Sequence, residues 1–312
     1  MGSGASGRTG STGRARSTKG WRSPQWTLPA NSSARGWIRL RDLSTLACLH
    51  SVEGGTVSDT SRILIGIPVY NEAASVPDVL EAVRGYGCDV LVVDDGSTDE
   101  TPMLLARQAV EVARHAVNRG YGRSMQDMIR WACCGAYDWL ITMDCDRQHE
   151  PESIPAFIEA IERNDADVIS GSRYLDVHPE NDAPPEDRRS TNRMLTQELN
   201  ARLDLSITDS FCGFKAYRTR ACGPLELDAD GYDFPMQFWV QAVAADLRIV
   251  ELPVRLIYND PNRTFGGPLD DVEIRRRHYE ATLHRELRRC RDRLPATACA
   301  GLDQDAADLI AD

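Results

Sequence analysis

The chain has 312 residues, 42% of them hydrophobic and 27% charged, with a formal net charge of -11. Such a composition is ordinary for a folded protein in water, and the acidic balance gives no reason to expect a nucleic-acid partner. No apolar stretch reaches the roughly 18–20 residues of a membrane span, and the start of the chain lacks the apolar segment of a secretory signal.

Residues 1–60 are rich in Gly, Ser, Thr and Arg. They predict a disordered basic leader, because so little apolar surface cannot offset the entropy of ordering. From Arg62 onward, short β-branched runs alternate with helical periodicity. A strand over 63–67 precedes a helix over 75–84, with Val76, Val79, Leu80 and Val83 on one face. A strand over 90–93 precedes a helix over 98–110, and a short strand over 111–116 precedes a helix over 122–134. Then come a strand over 139–143, a helix over 152–163 and a strand over 167–170. This alternation predicts an α/β fold, a mainly parallel sheet flanked by helices. Residues 176–189 are polar and Pro-rich and predict a mobile loop. Helices over 191–203 and 232–245 and a long strand over 247–258 come next. Residues 269–294 form an Arg-rich amphipathic helix, expected either to dock on the domain through Glu273, Glu280 and Glu286 or to lie on an anionic membrane. Residues 295–312 read as a flexible tail, so the domain itself spans 61–268. The 9 cysteines form no CxxC pair and read as small buried residues of a reducing compartment. His115 and His278 have no evident partners.

Ligands of parallel sheets bind at the carboxyl ends of strands, and four strand ends here carry polar residues. The first runs into Pro68-Val69-Tyr70-Asn71-Glu72, where a Tyr can stack on a base. The second runs into Asp94-Asp95-Gly96-Ser97-Thr98-Asp99-Glu100. Ser97 and Glu100 have capping-box spacing, whereas the two Asp before the Gly are free to accept base or ribose donors. The third runs into Asn118-Arg119-Gly120-Tyr121-Gly122, whose glycines let backbone approach a ligand. The fourth runs into Met143-Asp144-Cys145-Asp146-Arg147-Gln148-His149. In extended backbone Asp144, Asp146 and Gln148 face one way, and such hard oxygens suit Mg²⁺ or Mn²⁺.

Together PVYNE, DDGSTDET, NRGYG, MDCDRQHEP, GSRY and TDSFCGFKAY resemble the family 2 glycosyltransferases of GT-A fold, nearest the dolichyl- or polyprenyl-phosphate mannose and glucose synthases. The resemblance covers about residues 62–268. It implies a single catalytic domain for metal-dependent, inverting transfer of a hexose from a nucleotide sugar (GDP-mannose or UDP-glucose type). The implied acceptor is polyprenyl phosphate, in cell-envelope glycan biosynthesis, with the chain cytoplasmic and peripheral at the inner face of the membrane. Carried over by position, Pro68, Tyr70, Glu72, Asp94, Asp95, Gly96, Ser97, Asn118 and Gly120 hold the donor with Asp144. Asp144, Asp146 and Gln148 hold Mg²⁺ or Mn²⁺. Arg263 and Gly266 lie near the diphosphate. Gly213 and Phe214 stand beside the acceptor, Arg188 and Arg189 grip a lipid phosphate, and Gln237 occupies a position where the family usually carries a carboxylate.

Departures qualify the assignment. Gly267 and Pro268 replace the Ser and Lys that come after RxxG in the family. An amide at 237 cannot act as a base, so a hydroxyl acceptor would need Asp209 or Asp233, whereas a phosphate acceptor needs none. The rival readings are the same fold acting on a soluble glycan or protein hydroxyl, and a non-catalytic nucleotide-sugar-binding homologue.

Overall fold

The computed structural model describes residues 38–39, 61–176, 181–258 and 266–302, together with Met1. Most of the expected leader, residues 177–180 of the Pro-rich loop, Arg263 and the tail beyond Leu302 lie outside the described residues. The strands are β1 Ile38–Arg39, β2 Ile63–Val69, β3 Asp89–Asp94, β4 Glu111–Arg114, β5 Trp139–Thr142, β6 Val168–Ser172, β7 Lys215–Arg218 and β8 Ile249–Pro253. They form one sheet in the order β1-β4-β3-β2-β5-β7-β6-β8. Every neighbouring pair is parallel except those of β7, which runs antiparallel to both β5 and β6. The sequence pattern does not reveal β7. Its four residues KAYR are all buried and polar at both ends, so neither alternation nor an apolar run marks it.

The helices are α1 Val76–Arg84, α2 Thr101–Leu105, α3 Tyr121–Cys134, α4 Ile154–Glu162, α5 Glu186–Leu203, α6 Thr219–Cys222, α7 Phe234–Ala244 and α8 Val272–Arg289. Both faces of the sheet are covered, which is why the central strands are apolar nearly throughout. Alternate residues of each strand serve opposite layers. Leu64, Leu91, Val93 and Leu140 pack with α3, α5, α7 and α8. Ile65, Ile67, Val90, Val92 and Ile141 pack with α1 and α4.

Several element boundaries move, among them the helix expected from 191, which begins at Glu186 inside the segment read as a Pro-rich mobile loop. The helix expected over 98–110 is only Thr101–Leu105, and Glu100 rather than Ser97 stands at its N-cap. Ser97 is engaged elsewhere: its Oγ accepts the Asn71 N–H at 2.9 Å. The long strand expected to Tyr258 stops at Pro253. The first part of the supposed tail is packed, since Ala298 and Leu302 are fully buried and Arg202 Nη1 donates to the Ala298 and Ala300 carbonyls at 3.0 and 3.1 Å. The Arg-rich helix α8 docks in the core through Tyr279, Leu283 and Leu287. Glu273 and Glu280 pair with Arg276 at 2.6 Å each, while Glu286 turns inward to accept from Gln237 and Gln241 at 3.0 and 2.6 Å.

Candidate active site

Parallel pairing of β4, β3, β2 and β5 puts the ends of all four strands on one edge. A cleft of about 930 Å³ opens there. Of the residues singled out in the sequence, it takes Pro68, Tyr70, Glu72, Asp95, Asn118, Gly120, Asp144, Asp146, Gln148, Arg188 and Gly266 into its lining. Asp94, Gly96, Ser97, Arg189, Asp209, Gly213, Phe214 and Gln237 are not in that lining.

Asp144, Asp146 and Gln148 all line the cleft after β5, but so does Cys145, and the segment is bent where extended backbone was expected. The turn that holds them is specific. The Asp144 N–H donates to His149 Nδ1 at 2.9 Å, so this buried ring accepts at Nδ1. Its Nε2 faces Cys212 Sγ at 3.9 Å, and the ring lies against Phe214 with centroids 5.3 Å apart. Arg147 adopts a φ of 61° and leaves the site to pair with Asp78. The Gln148 N–H donates to Asp146 Oδ1 at 3.0 Å. Gln148 Nε2 is buried without a hydrogen-bond partner. Turning that amide over would present its oxygen at the same point, as a ligand and not an orphaned donor. Among the described residues no cluster of three or more His, Cys, Asp or Glu is built to hold a metal. Two carboxylates and an amide oxygen suit a cation such as Mg²⁺ that fills its remaining positions with water and phosphate oxygens.

Gly213 lies against this corner. A β-carbon there would stand 2.7 Å from Asp144 Oδ2 and 3.1 Å from Oδ1. Its carbonyl accepts from Thr142 Oγ1 at 2.8 Å, which ties it to the end of β5. Phe214 is fully buried and stacks on Phe157 at 4.4 Å, so it reaches no acceptor. Gly213→Ala is expected to displace the Asp144 carboxylate and weaken Mn²⁺-supported nucleotide binding by roughly tenfold to a hundredfold. Calorimetric titration of the variant with nucleoside diphosphate and Mn²⁺ checks this, and wild-type affinity would contradict it.

The donor-side loops are stitched together by side chains. Asn71, at a φ of 57°, accepts the Thr98 N–H at 2.8 Å through Oδ1, joining the first two loops. Asp94 is fully buried, accepting from Ser97 N–H at 2.8 Å and pairing with Arg114 at 3.0 Å. It shapes the turn, and Asp95 is the one of the pair that reaches the cleft. Asp95 in turn accepts the N–H groups of Arg119 and Gly120, each at 2.8 Å. Gly120 lines the cleft and is also packed from its other side by protein: at φ 101° its would-be β-carbon lies 2.3 Å from the Asp230 carbonyl oxygen.

Asp209, a candidate base, is fully buried. It accepts from Arg173 Nε and Nη2 at 2.6 and 2.9 Å, from Asn192 Nδ2 at 2.8 Å and from the Phe211 N–H at 3.1 Å. Burial alone would raise its pKa. The Arg173 charge and these bonds overcome that and hold it far below the usual carboxylate range. A carboxylate so placed is a poor proton acceptor at neutral pH. Asp233, the other candidate, is buried and accepts from Thr282 Oγ1 at 2.6 Å. Gln237 is also buried, its Oε1 holding the Asp228 and Ala229 N–H groups at 2.8 Å. What Asp209 does is present Arg173, which lines the cleft with Arg188 and Arg275. Arg173 and Tyr174 belong to the GSRY motif but take no role from the sequence, and Arg275, Tyr258 and Tyr279 are cleft residues that no strand-end motif marks. Arg173 comes after β6 as the polar motifs come after β2 to β5. Without β7, however, the position of the β6 end relative to the cleft was hidden.

Residues 64–224 match the family described as glycosyl transferase family 2, and the chain belongs to that family. It is a glycosyltransferase with the GT-A arrangement expected from its strand-end motifs. It is 32% identical over 225 residues to an undecaprenyl-phosphate mannosyltransferase of Micrococcus luteus, covering 68% of this chain and 91% of that protein. It is 29% identical over 211 residues to a polyprenol monophosphomannose synthase of Mycolicibacterium smegmatis, covering 64% and 78%. Among solved structures, S. aureus TarS 1-349 in complex with UDP-GlcNAc superposes with a TM-score of 0.45 at 16% identity, over 73% of this chain and 72% of that one.

Proposed function

We propose that the chain transfers a hexose from a nucleotide sugar to a polyprenyl phosphate, with inversion and with a divalent cation. The observation that carries the acceptor is the arginine set. Arg173, fixed by the buried Asp209, shares one cleft with Arg188, Arg275 and the Asp144–Asp146 corner. Carboxylates suit a cation that takes up the donor diphosphate, and guanidiniums suit a second phosphate. The relatives named for undecaprenyl phosphate and polyprenol support the same acceptor class.

In this reaction a phosphate oxygen of the acceptor attacks the anomeric carbon of the sugar. The bond from that carbon to the diphosphate oxygen breaks, and its electron pair leaves with the nucleoside diphosphate. Attack opposite the leaving group inverts the anomeric centre. The acceptor phosphate is already anionic, so no side chain need remove a proton, in keeping with the engaged states of Asp209 and Asp233. A divalent cation there would supply charge neutralisation for the leaving diphosphate. Asp144, Asp146 and Gln148 would hold that cation. Arg173 orients the incoming phosphate, and the tyrosines narrow the cleft around the sugar. A lipid acceptor places the work at the inner face of the membrane, with the chain a peripheral visitor from the cytoplasm. No described helix is long and apolar enough to cross a membrane.

The test supplies labelled GDP-mannose or UDP-glucose with Mn²⁺ and offers undecaprenyl phosphate, a soluble glycan and a protein extract in parallel. Label is expected in the organic phase with the lipid. Label only in the soluble acceptors would overturn the lipid reading, and donor binding without turnover on any acceptor would overturn catalysis.

A further inference from the structure

The buried His115 stands between two carboxylates. Its side chain is 0% exposed. Nδ1 lies 2.6 Å from Asp95 Oδ1, and Nε2 lies 2.9 Å from Asp127 Oδ2. A neutral imidazole can donate from only one nitrogen, which would leave the other facing a buried carboxylate oxygen with no proton between them. The ring that satisfies both contacts is the imidazolium. Asp127 is itself held by α3, accepting from Arg123 Nε at 3.0 Å and Arg130 Nη1 at 3.1 Å. Asp95 carries the N–H groups of Arg119 and Gly120, so its orientation sets the loop that brings Asn118 and Gly120 to the cleft.

We propose that His115, in its protonated form, is the positioning residue of the donor site: it locks Asp95, and through Asp95 the 118–120 loop, to the helix α3. The proposal rests on the reading of that cleft as a nucleotide-sugar site. His115 is not itself in the cleft lining and acts through Asp95, which is. The charges around it are Asp95 after β3, Asp127, Arg123 and Arg130 on α3, and the Arg114–Asp94 pair beside it at 3.0 Å. Burial opposes protonation of the ring, but the bonds to Asp127 and Asp95 outweigh it and raise the pKa. A raised folded-state pKa means that the lock is complete below about pH 6.5, the ordinary histidine value, and is lost as pH rises through the folded-state value. Donor affinity should therefore decline on the alkaline side.

The experiment measures GDP and UDP binding with Mn²⁺ by calorimetry between about pH 6 and 10, for the wild type, His115→Gln and Asp127→Asn. Asp127 is outside the cleft lining; its change also weakens the pairs with Arg123 and Arg130, but only the contact with His115 connects it to Asp95 and titrates with the ring. Wild-type affinity is expected to fall across the alkaline range. Asp127→Asn removes one of the two stabilising charges and should move that fall toward acid by about one pH unit. His115→Gln should bind about tenfold more weakly at neutral pH, equivalent to one charged hydrogen bond, and lose this component of the pH profile. If His115→Gln does not fold, the Asp127→Asn profile decides the matter alone. Profiles of Asp127→Asn and wild type that superimpose would overturn the inference while leaving the donor site intact. A wild-type chain that binds neither nucleotide would overturn the donor-site reading, and this inference with it.

Discussion

Asp146→Ala is expected to leave a folded chain that no longer couples a divalent cation to donor binding. Asp146 lines the cleft, is partly exposed and accepts the Gln148 N–H at 3.0 Å. The truncation therefore opens no core cavity and frees one backbone donor that water can reach. Its effect on the site is larger. With one carboxylate left, the corner keeps a single charged ligand for a cation that must also bear a diphosphate. Loss of a residue merely supporting a metal ligand costs about 10- to 100-fold in metal affinity or activity, so loss of the ligand itself should cost at least the upper end. Transfer rates over an Mn²⁺ titration, beside a melting curve, make the comparison. Unchanged turnover, or a wild-type enzyme indifferent to chelator, would remove the cation from the reaction.

Asp209→Asn should be the most destabilising single change at the site. The asparagine keeps the shape but removes the charge that Arg173 faces through two bonds and that Asn192 also donates to. Removing one partner of a buried pair leaves the other charge uncompensated and costs about 3–5 kcal/mol. Because the folded-state pKa of Asp209 is depressed, the wild-type advantage is full above about pH 5 and shrinks as pH falls through that depressed value. Urea unfolding at neutral and acid pH tests both parts. A deficit below about 1 kcal/mol, the scale of an exposed pair, would mean that Arg173 is not held by this contact. On the proposed function, a folded Asp209→Asn enzyme should also lose acceptor use more than donor binding, since the released guanidinium is the one assigned there to the second phosphate.

Four strand-end motifs were legible because strand period and polar punctuation are local signals. The apolar run Val90–Val93 could only be a strand buried on both faces, and in a parallel sheet the loops leaving the carboxyl ends of such strands share one edge. The roles of individual residues within those motifs were not legible. Asp94 and Asp95 are adjacent and identical in type, yet one folds the turn and the other reaches the cleft. Which does which depends on Arg114 and on the Arg119 and Gly120 amides, supplied from other segments. Gly120 reads as a point of close approach to a ligand and Gly213 as a neighbour of the acceptor, whereas the atoms packed against them are the Asp230 carbonyl and the Asp144 carboxylate. His115 is 20 residues from one partner and 12 from the other, and nothing in its own neighbourhood marks it.

The reversed strand β7 has a consequence for how the site comes into being. Because it runs against β5, its first residue Lys215 pairs with the last residue of β5, Thr142. Gly213 is thereby delivered beside Asp144 across more than 60 positions of chain. Contacts of that span close late in folding, since the intervening loop must first surrender its freedom. The carboxylate corner is thus a product of sheet completion: a chain in which β7 has yet to dock has Asp144 and Asp146 in sequence but no Gly213 wall against which to set them.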